Sequence, residues 1–144
     1  MSTMALRLPA EPQTVDAVLD QLERLWRCAG HVPLPDRMAF DLAVIETVSN
    51  AIQHGVADPG PLEVGVELDA RDSTLQATIV EYGAATPELL ADRSRACDEA
   101  VMDAAQQFLT ESGRGLALIR TLVTMGFERV GPTNVWRLCR QMGV

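Results

Sequence analysis

The stretch Glu46-Thr47-Val48-Ser49-Asn50-Ala51-Ile52-Gln53-His54-Gly55 decides how the rest of the chain is read. At about 100° per residue, Val44, Ile45, Val48 and Ile52 share one helical face, while Glu46, Asn50, Gln53 and His54 lie on a separate polar arc. A carboxylate and an amide therefore stand one turn apart on one line. An amide oxygen suits a hard cation such as Mg²⁺, and a carboxylate beside it can orient or deprotonate a nucleophile. The same residues equally form the solvated side of an amphipathic helix. Gly55 ends this helix, and its start is expected at Asp36, an N-cap following the breaks at Pro33 and Pro35.

Upstream, Val15, Val18, Leu19, Leu22, Leu25, Trp26 and Ala29 carry i, i+3, i+4 spacing, which predicts a helix from Gln13 that stops at Gly30. Ala5 to Leu8 alternate before Pro9 and predict a short strand at a sheet edge. Downstream of a turn at Asp58-Pro59-Gly60-Pro61, Leu62, Val64, Val66 and Leu68 alternate with polar residues or glycine. Leu75, Ala77, Ile79 and Tyr82 resume the alternation past residues 69–74, a β-hairpin. Leu116 to Val123 predicts a third helix, and Phe127–Val130 with Val135–Cys139 a closing hairpin turning at Gly131-Pro132. Between Gly83 and Gly113 the pattern is broken by Asp92, Arg93, Arg95, Asp98 and Glu99, and the segment reads as a mobile cover. This order predicts an α+β two-layer sandwich, a mixed, mostly antiparallel sheet with helices on one face, built as a single domain over residues 1–144.

All 12 Lys+Arg residues are arginine, set against 20 Asp+Glu in 144 residues for a net charge of −8. The absence of lysine excludes a Walker-type phosphate loop, a Schiff base and the strand lysine of a eukaryotic-type protein kinase. The acidic balance argues against a nucleic-acid partner. At 47% hydrophobic and 22% charged, the composition supports a full core. Cys28, Cys97 and Cys139 form no C-x-x-C pair, so neither disulfides nor a zinc site are expected. Met1 to Pro9 lacks the features of a signal peptide, and no run approaches the ~18 apolar residues of a spanning helix. A cytoplasmic protein without membrane association is expected.

Two weaker features accompany the helix box. Glu111-Ser112-Gly113-Arg114-Gly115-Leu116-Ala117 places glycines just before a helix, where close backbone approach and free amides suit phosphate, although a flexible loop would look the same. Val80-Glu81-Tyr82-Gly83-Ala84-Ala85 puts a carboxylate at a strand end, two residues before a glycine.

In this order the three features resemble the N box, the adenine box and the second glycine box of the GHKL ATPases, the superfamily of gyrase and the histidine kinases. Within it, the chain looks like an anti-sigma-factor serine/threonine protein kinase. The opening Leu6-Arg7-Leu8-Pro9-Ala10 and the closing strands Phe127–Val130 and Asn134–Leu138 extend the resemblance over nearly the whole chain.

The resemblance implies ATP and Mg²⁺ as cofactors, with Asn50 holding the metal and Glu46 acting as base toward an attacking hydroxyl. Gly113, Arg114, Gly115 and Leu116 would lie along the phosphates, under a lid formed by about residues 85–112. Gly83 and Ala85 would flank the adenine, with Thr133 nearby and Asn134 competing for that place. Phosphate charge would be met by Arg114, Arg120, Arg93 or Arg95. The implied partners are a STAS-type anti-anti-sigma factor, a sigma factor and a second copy of the chain. A relay through His31 or His54 is a third reading, though both positions are ordinarily structural.

One position departs from the family. The adenine box carries Asp where this chain has Glu81, so the carboxylate is expected about 1.5 Å deeper, from ordinary carbon spacing. A missed hydrogen bond there would cost about 1–3 kcal/mol. The competing reading is therefore a binding module on the same scaffold with nucleotide binding weakened or lost.

Overall fold

Alternating burial along Ser2–Pro9 marks the first strand, β1, with Met4, Leu6 and Leu8 turned toward the helices and Thr3, Ala5 and Arg7 turned away. The computed structural model describes residues 2–54, 63–83 and 115–143. Its elements follow as α1 (Pro12–Cys28), α2 (Leu34–His54), β2 (Glu63–Ala70), β3 (Thr74–Tyr82), α3 (Gly115–Leu122), β4 (Thr124–Val130) and β5 (Thr133–Gln141). The segments 55–62 and 84–114, which include the expected turn at 58–61 and the expected lid, lie outside the described residues.

The strands form a five-stranded sheet in the order β1-β2-β3-β5-β4, and all four ladders are antiparallel. β1 is an edge strand, as Pro9 predicts, since proline cannot donate to a further ladder. β5 docks on β3 and leaves β4 at the other edge. The reason is burial: β5 presents Asn134, Trp136 and Leu138 to the helices, all nearly inaccessible, whereas β4 ends on Val130, which is 55% exposed.

Among the described residues three helices cover one face of the sheet, as an α+β sandwich requires. α1 buries Thr14, Val18, Leu22 and Leu25. α2 buries Phe40, Ala43, Val44, Val48 and Ala51, and α3 adds Ile119 with Val123 just beyond its end. Fully burying a side chain the size of Phe40 or Leu22 contributes about 1.5–3 kcal/mol, so this one layer supplies most of the driving force.

The start of α2 differs from the sequence expectation. The helix begins at Leu34 and not after Asp36, because Pro35 falls in the first turn, where its missing N–H is no loss. Asp36 is thereby freed from capping. Its carboxylate accepts from Arg140 Nε at 2.9 Å, and the same arginine donates through Nη1 to the carbonyl of Leu122 at 2.7 Å. One guanidinium thus ties the beginning of α2 to the end of α3 and to β5.

Among the described residues no helix covers the opposite face of the sheet. There Arg7 stacks on the Tyr82 ring at 3.6 Å and pairs with Glu63 at 3.0 Å. A Cβ on Gly65 would stand 2.8 Å from Tyr82 Cε2, so any larger residue there would displace the ring. Among the described residues no helix is long and apolar enough to cross a membrane.

Candidate functional site

The topology sends one end of each covering element to the same place. Arg140 pairs with Leu75 in the β3–β5 ladder, so its bonds to Asp36 and to Leu122 fix the start of α2 and the finish of α3 at that end of the sheet. The finish of α2 and the start of α3 therefore lie toward the other end. That end carries Glu81 and Asn134, which are ladder partners, together with Arg129, paired to Asn134 on β4. The later part of α2, which carries Glu46 and Asn50, and the start of α3 run toward the end of the sheet where β3 finishes at Glu81 and Tyr82, just before Gly83.

Glu46 and Asn50 are both half-buried, one turn apart. Thr47 between them donates its hydroxyl back to the Ala43 carbonyl at 2.8 Å, so it does not compete for them. The Asn50 amide nitrogen is buried and has no hydrogen-bond partner among the described residues. Leaving such a donor unmatched costs about 1–3 kcal/mol, a penalty that serves no purpose in folding. An amide presents a donor and a hard oxygen from one side chain. Both needs of a metal–phosphate group, an N–H for phosphate oxygen and an oxygen for Mg²⁺, are thus available at Asn50, and the residues present fit that group.

Glu81 ends β3 on the helix-covered face and is 5% exposed. Its Oε2 accepts from Trp136 Nε1 at 2.7 Å, and a second hydrogen bond comes from the Asn134 side chain. Asn134 in turn accepts from Arg129 Nη1 at 2.8 Å through its Oδ1. Burial pushes the Glu81 carboxyl from 4.5 up to about 7, against the opposing pull of Trp136, Asn134 and the Arg129 charge. Gly83, two residues on, takes φ +72°, a conformation that glycine adopts without strain where the chain leaves the strand.

This raised carboxyl has a consequence for stability. As pH rises from 4.5 the unfolded chain releases its proton first, so the contribution of Glu81 is complete below 4.5 and is lost as pH climbs to about 7. At roughly 1.4 kcal/mol per pKa unit, the stability of the wild type relative to Glu81→Gln should fall by about 3 kcal/mol over that window. Denaturant unfolding at pH 4.5 and 7.5 measures this. A difference independent of pH would place the ionisation at its ordinary value.

Several sequence candidates are placed by the structure. Thr133 alternates to the opposite face of the sheet and Asn134 turns inward beside Glu81. Arg120 is an exposed residue of α3. His31 lies between α1 and α2 with its Nε2 2.9 Å from the Arg71 carbonyl, a contact that joins helix layer to hairpin. Ala85, Arg93, Arg95, Gly113 and Arg114 lie outside the described residues. Trp136 and Arg129 escaped the sequence reading. The signal that finds them is the period of two on β5 and β4, counted from the register that faces Glu81.

A family model for the histidine kinase-like ATPase domain matches residues 8–134. The chain belongs to that family. Solved structures agree on the fold. The RsbU and RsbW domains of Rv1364c from Mycobacterium tuberculosis superpose with a TM-score of 0.67 at 18% identity, over 99% of this chain and 33% of that one. This chain thus spans about one third of that protein's described length. The catalytic domain of the histidine kinase ThkA superposes at 0.50 with 13% identity, covering 99% and 98%. Among curated proteins no sequence matches. Membership in the ATPase family implies nucleotide binding by this domain.

Proposed function

We propose that this chain is an ATP- and Mg²⁺-dependent protein-serine/threonine kinase of the anti-sigma type, which phosphorylates a STAS-type anti-anti-sigma factor and in its other state holds a sigma factor. The observation that carries the reading is the unmatched, buried amide of Asn50 one turn beyond Glu46, in a chain of the ATPase family. The fold shared with an RsbW-containing structure is in keeping with it.

Mg·ATP, when bound, supplies the phosphoryl group. Asn50 would hold the metal, Gly113, Arg114, Gly115 and Leu116 would bind along the phosphates, and Gly83 and Ala85 would admit the base beside Glu81. Glu46 would take the proton of the attacking hydroxyl, and residues 85–112, which lie outside the described residues, would serve as the lid. A shared surface for two partners, biased by nucleotide, would make the switch. The protein would act in the cytoplasm as a homodimer.

A second reading, a partner-switching module with little or no nucleotide affinity, is favoured by Glu81, whose carboxylate already receives bonds from Trp136 and Asn134. On that reading Asn50→Ala leaves partner binding unchanged, and Glu81→Asp strengthens ATP binding.

Calorimetric titration separates the two. Mg·ATP and Mg·ADP are expected to bind the wild type below millimolar concentration, and Asn50→Ala to abolish the heat. No signal up to millimolar nucleotide would sink the kinase reading.

A further inference from the structure

We propose that Trp136 is a positioning residue for base recognition: its indole N–H holds the longer side chain of Glu81 against the sheet, so that a glutamate here does the work an aspartate does elsewhere in the family. This rests on the nucleotide reading above and adds a residue and a specificity to it.

The geometry begins with register. Glu81 faces Asn134 across the ladder, while Trp136 faces Ile79, so the indole reaches Glu81 along the diagonal. Spanning that diagonal takes up the extra methylene. The bond is 2.7 Å long, and an aspartate carboxylate, about 1.5 Å shorter in reach, would leave the indole beyond hydrogen-bond distance. Glu81 and Trp136 therefore fit as a pair. The usual residue would not fit this sheet.

The holding groups are themselves held. Trp136 is 6% exposed, and its ring packs against Phe127 with centroids 4.4 Å apart, so the indole cannot swing away. Indole nitrogen only donates, and without Glu81 it would be buried and unpaired. Asn134 is oriented by Arg129, a pure donor, which claims the amide oxygen and turns the amide nitrogen toward Glu81. The carboxylate is thus aligned from two sides by groups with no freedom to follow a ligand.

A carboxylate offers about four acceptor positions, and these two bonds leave capacity for another donor. The exocyclic amine of adenine is such a donor. Above pH 7, where Glu81 is ionised, a base carrying a carbonyl at that position sets two acceptors against one another. Preference for an amino over an oxo base should then depend on Trp136, although Trp136 itself need not touch the ligand.

The test measures affinities of the full chain for Mg·ATP and Mg·ITP, whose bases differ by amine against carbonyl, in wild type, Glu81→Asp, Trp136→Phe and the double variant. The wild type should prefer ATP. Each single variant should lose roughly 5- to 150-fold in ATP affinity, the equivalent of one hydrogen bond to a buried group, with ITP affinity little changed. The double variant should be no worse than either single one, because both remove the same bond. Tighter or equal ATP binding by Glu81→Asp overturns the proposal, as does a parallel fall of ATP and ITP in Trp136→Phe. If Trp136→Phe does not fold, Glu81→Asp alone decides, since the two views predict opposite signs for it. A wild type that binds neither nucleotide overturns the kinase reading and this inference together, whereas failure at Glu81→Asp alone leaves the kinase reading standing.

Discussion

On the proposed kinase function, Glu46→Gln is expected to lower phosphoryl transfer about 10²- to 10⁴-fold while leaving Mg·ATP affinity within a few-fold of the wild type. The range is that of a positioned general base. Glutamine keeps the length and polarity of the side chain and removes only its capacity to take a proton. Glu46 sits a full turn before Asn50 on α2, so metal and phosphate contacts should survive its neutralisation. Transfer of labelled γ-phosphate to a STAS-type acceptor gives the rate, and calorimetry gives the affinity. Unchanged transfer would remove Glu46 from the chemistry. A parallel collapse of rate and affinity would make it a binding residue instead.

The second large effect concerns the far end of the molecule. Arg140→Leu should destabilise the fold by about 3–5 kcal/mol, the usual result of stripping the partner from a buried charge. The Asp36 side chain is 6% exposed and that of Arg140 19%, so solvent can replace little of the lost interaction. The Leu122 carbonyl loses its donor at the same time. For a domain of this size the midpoint of thermal unfolding should fall by roughly 10 °C. Replacing both partners with apolar residues should restore much of the loss, because the unpaired carboxylate goes with the pair. A single-variant loss under 1 kcal/mol would show that water reaches the pair. Since α2 and α3 run from this bridge to the candidate site, their relative placement there depends on it, and nucleotide affinity should weaken in the same variant.

Much of this organisation is legible in local pattern. Apolar spacing in residues 13–29 and 116–123 reveals α1 and α3, and alternation in residues 62–82 reveals the β2–β3 hairpin, because burial on one face imposes a period that each segment carries within itself. The box from Glu46 to Gly55 is legible for the same reason: a helix keeps residues four apart in line wherever it is placed. Proline misled the reading only at α2. Two prolines suggested a break, whereas one of them occupies the first turn, and the role of Asp36 passed from capping to a bridge with a residue more than a hundred positions away.

The sequence by itself determined the elements, the sandwich class, the absence of any lysine chemistry and the line from Glu46 to Asn50, since all of these depend on composition or on neighbours within a few residues. Only the tertiary structure decided that β5 lies between β3 and β4, that Asn134 and not Thr133 turns toward Glu81, and that the Trp136 indole donates to the Glu81 carboxylate. Those facts turn on ladder register, in which a shift of one residue would send every side chain to the other face. Nothing local to Glu81 announces a tryptophan 55 residues later. Once register is known, the glutamate that departs from the family's usual aspartate is seen to accept a hydrogen bond from Trp136.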